Sequence, residues 1–173
     1  MTGDGKSRPG EKRPGQRRIM GVDPGLASAG WGVIDYVQGR VRYVAHGCIE
    51  TKAQNPRAER LLFIYRSLKE LLETYRPGES AVETLYFGRN VTSAIPVAEA
   101  RGVISLALAE KGLCVREFTP AQIKQGVVGT ARADKVQIQE MVRLILGLSG
   151  IPSPDHAADA LAAAICCAHS VAG

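Results

Sequence analysis

The chain has 173 residues, 45% of them hydrophobic and 23% charged, a mixture that suits one soluble globular domain and excludes a largely disordered chain. Its apolar runs fall short of the ~20 residues a membrane span needs, and its polar, basic start lacks the apolar stretch of a signal peptide, so a cytoplasmic protein with no membrane association is expected. The net charge of +5 sits mostly at one end: residues 1–18 hold Lys6, Arg8, Lys12, Arg13, Arg17 and Arg18 against Asp4 and Glu11, which leaves +1 for everything after them. This is a basic tail rather than a basic domain, so nucleic-acid contact by the domain has to rest on a local patch.

Residues 1–18 are rich in Gly, Pro, Lys and Arg without apolar periodicity, and cannot bury enough surface to offset their ordering entropy. They read as a disordered basic arm ahead of one domain over 19–173, serving solubility or weak attraction to a polyanion. Ile19–Val22 is a short apolar strand stopped at Asp23-Pro24-Gly25, and the segments 30–37 and 41–49, joined at Gln38-Gly39, form a hairpin. Leu61, Ile64, Tyr65, Leu68 and Leu72 have helical spacing, closed by Pro77-Gly78. Ser80–Glu83 is a strand, Thr92–Glu110 a helix, and Leu113–Phe118 a strand again. Two helices follow, one striped by Ile138, Met141, Val142, Ile145 and Leu146, the other the nearly all-apolar His156–Ala168. A β-β-β-α-β-α-β order followed by helices predicts an α/β fold, a mixed five-stranded sheet with helices on both faces and no internal repeat.

Four cysteines, Cys48, Cys114, Cys166 and Cys167, have neither the density of a disulfide scaffold nor the spacing of a zinc site, and read as small core residues rather than nucleophiles. The acids are more informative. Asp23 and Glu83 each end an apolar strand, where an unpartnered carboxylate is costly to bury. In the last helix His156 and Asp159 lie three apart and share one face near its start. Asp155 reads as the helix N-cap; Asp159, one turn inside, does not. Acids from separate elements converging without matching bases repel one another unless a divalent cation lies between them. Carboxylates with one imidazole suit Mg²⁺ or Mn²⁺, and such a cluster fits phosphoryl chemistry with two ions ~4 Å apart.

Five segments in order, Ile-Met-Gly-Val-Asp-Pro-Gly at 19–25, Ala-Val-Glu at 81–83, Glu-Ala-Arg-Gly at 99–102, Gln-Ile-Lys-Gln-Gly-Val-Val-Gly at 122–129 and His-Ala-Ala-Asp-Ala-Leu at 156–161, resemble the RuvC family of bacterial Holliday-junction resolvases across the chain after the arm. The resemblance implies an RNase H-like fold and a homodimer acting in recombination and repair. It further implies two Mg²⁺ per site, with Mn²⁺ able to substitute, and symmetric paired nicks in a four-way DNA junction that leave 5′-phosphate and 3′-hydroxyl ends. A branch-migration helicase complex is the implied partner. By motif position Asp23, Glu83 and Asp159 match the family's metal ligands. His156 takes a place that is Asp in some members, as a ligand or as the base for the attacking water; Asp155 could instead supply the missing acid.

The resemblance also places an aromatic after the Glu to stack on a junction base, here Tyr86 with Phe87 beside it. Arg89, Lys124, Arg132 and Lys135 lie in or beside Gly-bearing loops and are the expected phosphate contacts, Lys124 and Lys135 matching family lysines. Thr92–Glu110, with Ala94, Val97, Ala98, Val103 and Leu106, reads either as a dimer helix or as an intrachain core helix. Competing functions are an actin- or sugar-kinase-like ATPase, which needs a second lobe, a junction-binding module without chemistry, and a monomeric RNase H-like nuclease of other substrate.

Overall fold

β1 (Arg17–Asp23) is buried at every interior position, as a strand covered on both faces must be, which is why its sequence is an apolar run rather than an alternation. It is the middle strand of a sheet ordered β3 (Arg40–Glu50), β2 (Ser28–Val37), β1, β4 (Glu79–Glu83), β5 (Val115–Phe118). The protein is described by a computed structural model over residues 15–84 and 91–170, with backbone alone at 91–93. β2 and β3 are antiparallel and joined by a tight turn. Gln38 and Gly39 both have positive φ, 50° and 78°, the twist-matched turn that two-residue hairpins require. β4 and β5 run parallel to β1, so the mixed five-stranded sheet expected from the pattern is present.

Alternation along the strands divides the core into two layers. Ile19, Ile34 and Ala81 pack on one face with α3 (Pro120–Val128), α4 (Lys135–Leu146) and α5 (Asp155–His169). Met20, Val22, Val33 and Val82 pack on the other with Ile64, Leu68 and Leu72 of α1 (Arg57–Tyr75) and Ala100, Ile104, Ala107 and Leu108 of α2 (Val91–Glu110). The intrachain reading of α2 therefore holds for that face, while Leu106 points outward, 61% exposed. Among the described residues no helix is long and apolar enough to cross a membrane.

Three expectations change. Arg17 and Arg18 belong to β1 rather than to an arm, because each has an acid to meet. Arg17 pairs with Glu79 at 2.6 Å, and the buried Arg18 grips both oxygens of Asp35 at 2.7 and 2.8 Å. Burial alone would raise the Asp35 pKa, but hydrogen bonds from Arg18 and Gln16 and the Arg18 charge outweigh it and leave the carboxyl below its usual range. Second, residues 120–128 form α3, a helix the apolar pattern did not separate. Third, Cys114 is exposed and Cys48 half-buried; only Cys166 and Cys167 lie in the core. Burial pushes the Cys166 thiol up to about 11, so it is inert as a nucleophile.

Candidate metal and nucleic-acid site

Because β1 and β4 are parallel, Asp23 and Glu83 end at the same edge of the sheet. α5 then brings two more groups to that edge, and it can do so only because the strands beneath it lack side chains at the crossing. A Cβ on Gly21 would stand 1.9 Å from the Ala160 carbonyl oxygen, and one on Gly30 would stand 1.9 Å from that of His156. The helix answers with small residues, Ala157, Ala160, Ala163 and Ala164, all buried. Close backbone packing thus fixes where the first turns of α5, and with them His156 and Asp159, sit above the sheet.

Asp23, His156 and Asp159 each offer a ligand atom, and these lie within 4.8 Å of one another. His156 Nδ1 is 2.7 Å from Asp23 Oδ2. Glu83 lies outside that tight group but close enough to feel it. Burial, then the charges of Asp23 and Asp159, push its carboxyl up to about 7, with Lys124 opposing. Burial also raises Asp23, opposed by its hydrogen bond to His156, and raises Asp159, reinforced by the Asp23 charge. The strain is that of three carboxylates short of positive charge, and oxygen donors with one imidazole are a donor set for a hard divalent ion. The residues present therefore fit such an ion.

Two lysines border the acids. Lys135 Nζ is 2.9 Å from Asp155 Oδ2 and 3.8 Å from Asp159 Oδ2, and Lys124 lines a small cleft with Glu83 and Asp159. The corrections here concern helices. Lys124 stands on α3 and Lys135 in the first turn of α4 rather than in loops. The signals were in the sequence, since Thr119 with Gln122 and Asp134 with Gln137 form reciprocal capping boxes. Asp155 is not the N-cap of α5; that position is Pro154, and the Asp155 carboxylate accepts from Lys135 and Gln139 instead. Arg132 is exposed in the turn between α3 and α4. Tyr86, Phe87 and Arg89 lie outside the described residues.

The family described as crossover junction endodeoxyribonuclease RuvC matches residues 19–167. The chain belongs to the RuvC family. RuvC proteins similar to it include that of Heliobacterium modesticaldum, 52% identical over 88% of this chain and 94% of that protein, and that of Treponema denticola, 53% identical over 85% and 83%. Among solved structures, Thermus thermophilus RuvC superposes with a TM-score of 0.80 at 36% identity, covering 88% of this chain and 93% of that one. The same protein in complex with Holliday junction substrate superposes equally well at 35% identity. The RuvC likeness makes the fold RNase H-like, and the yeast mitochondrial resolvase Ydc2, 13% identical with a TM-score of 0.63, shares the fold. RuvC membership also sets aside the ATPase reading.

Proposed function

We propose that this chain resolves four-way DNA junctions by hydrolysing one phosphodiester bond in each of two symmetric strands, as a homodimer acting in recombination and repair. The observation that carries the proposal is the convergence of Asp23, His156 and Asp159 within 4.8 Å, faced by Glu83. Similarity to an RuvC that has been seen with Holliday junction substrate supports four-way DNA as the substrate. By the same family likeness, a branch-migration helicase complex delivers the junction to the dimer, in the cytoplasm.

In this reading Asp23, Glu83 and Asp159 would hold two divalent ions, Mg²⁺ or Mn²⁺, with His156 beside them as the base for the attacking water. Such ions, when bound, would supply acidity to a water and positive charge for the leaving 3′ oxygen. The chain's own groups do the rest. Lys124 and Lys135 hold the backbone phosphates, and Arg132 adds a contact at the rim. Tyr86 and Phe87 stack on an unpaired base at the crossover, with Arg89 beside them on the backbone. Asp23 fixes the imidazole of His156 by accepting from Nδ1, which leaves Nε2 to take the proton of the attacking water. The P–O3′ bond breaks, the 5′-phosphate stays on one side of the nick, and the 3′ oxygen leaves as a hydroxyl after protonation from solvent.

The test is competition between a labelled four-way junction and linear duplex of the same sequence with Mg²⁺ present. Paired nicks in the junction, closed again by ligase, support the reading. Equal cutting of both substrates, or none of either with Mg²⁺ and Mn²⁺, overturns it.

A further inference from the structure

β4 presents Glu83 one residue beyond its last register pair with β1, Val22 with Val82. The Glu83–Thr84 peptide is trans, so its C=O and N–H point to opposite edges of the strand. On the β5 edge the Thr84 N–H donates to the Phe118 carbonyl at 2.8 Å. On the opposite edge the ladder to β1 has ended, and a part-buried carbonyl left there without a donor would be destabilising.

Arg101 of α2 supplies that donor. Its Nη1 donates to the Glu83 carbonyl at 3.1 Å, and its Nη2 sits 2.5 Å from Glu117 Oε1 on β5. The Arg101 side chain is 17% exposed, and its guanidinium makes two contacts from one rigid fork, which an ammonium cannot reproduce in that geometry. The peptide that carries the Glu83 side chain is therefore gripped from both edges, by β5 directly and by α2 through Arg101. Such a grip has something to resist, because Asp23 and Asp159 repel the Glu83 carboxylate, and a loose strand end would swing away to relieve them.

We infer that Arg101 is a positioning residue that holds the end of β4 so that the Glu83 carboxylate stays with Asp23, His156 and Asp159. The inference rests on the proposed reading of those four residues as a divalent-ion site. It goes beyond the four by adding a cation whose contacts are the Glu83 carbonyl and the Glu117 carboxylate.

The experiment compares wild type with Arg101→Ala, Arg101→Lys and Glu117→Gln in four measurements: Mn²⁺ binding to the free protein by calorimetry, thermal midpoint, junction affinity in EDTA, and single-turnover cleavage with Mg²⁺. Arg101→Ala is expected to weaken Mn²⁺ binding and slow cleavage by about 10–100-fold, the usual effect of removing a group that orients a metal ligand, with junction affinity held within about twofold. Arg101→Lys recovers part of that loss, and Glu117→Gln produces a smaller loss in the same direction. Unchanged Mn²⁺ affinity in folded Arg101→Lys and Glu117→Gln overturns the inference even if Arg101→Ala fails to fold. So does a loss of junction affinity matching the loss of rate, which would make Arg101 a phosphate contact. A wild type that binds Mn²⁺ but leaves junctions uncut would remove the resolvase reading instead, and the Mn²⁺ titrations of the variants would still decide the role of Arg101.

Discussion

His156 and Asp23, 133 positions apart in the chain, meet through Nδ1 and Oδ2 at 2.7 Å. In the proposed reading Asp23 thereby has two duties, as a ligand to an ion and as the partner that orients the imidazole. Asp23→Asn keeps the shape of the pocket but not its charge, so junction binding in EDTA should survive while cleavage with Mg²⁺ disappears. His156→Ala should lower the single-turnover rate by about 10²–10⁴-fold, the range of general-base catalysis, with its pH dependence flattened. A normal rate across pH in His156→Ala would reduce the residue to packing.

Glu83 gives the site a pH-dependent cost to stability. Its carboxyl is raised from an ordinary 4.5 to about 7, so folding favours the protonated form. The stabilising contribution is complete below the ordinary value and is lost as pH rises through about 7. In EDTA at about pH 8, Glu83→Gln should therefore raise the thermal midpoint by about 2–4 °C, equivalent to about 1 kcal/mol in a chain of this size once solvent screening is allowed for. The gain should fade toward about pH 4, where wild-type Glu83 is protonated too. An equal shift at both pH values would place its origin elsewhere.

Gly30 is where the sheet admits His156. A methyl group there would collide with the His156 carbonyl oxygen at 1.9 Å, so the start of α5 must lift. Gly30→Ala should cost about 3 kcal/mol, the upper part of the range for overpacking, and should reduce cleavage more than junction binding. Denaturant melts read alongside both assays check this; a variant with wild-type midpoint and rate would show that α5 does not rest on β2 as described.

Lys124 and Lys135 face acids in the free protein and phosphates in the proposed complex. Each contact contributes about 0.9 to the slope of log affinity against log salt. Lys124→Ala and Lys135→Ala should each lower that slope by about one, uniformly across junction sequences. Lys135→Ala should in addition change the rate, since it removes the ammonium 3.8 Å from Asp159. Unchanged slopes would exclude both as phosphate contacts.

How much of this was legible in the sequence depended on whether the signal was local. Strand and helix faces announce themselves by apolar period, and the all-apolar helix from His156 stood out because His156 and Asp159 had no reason to be there. α3 did not stand out. It has only nine residues with Ile123 and Val127 buried, too short for a stripe, and only its capping box marked it. Arg18 looked like one more cation in a basic tail, because Asp35, its partner, lies on another strand and pairing across a sheet leaves no local trace. The same holds for Arg101, which is one cation on a helix until the ends of β4 and β5 are placed beside it. That Asp155 binds Lys135 rather than capping α5 follows from how α4 approaches, which no pattern within α5 encodes.

The most direct measurement is a crystal of the full-length protein soaked in Mn²⁺ and read by anomalous scattering. The account predicts peaks bounded by Asp23, Glu83, His156 and Asp159, lost in a crystal of Asp23→Asn under the same soak. Saturating Mn²⁺ with no peak among those four side chains, or a peak that Asp23→Asn leaves untouched, would contradict it.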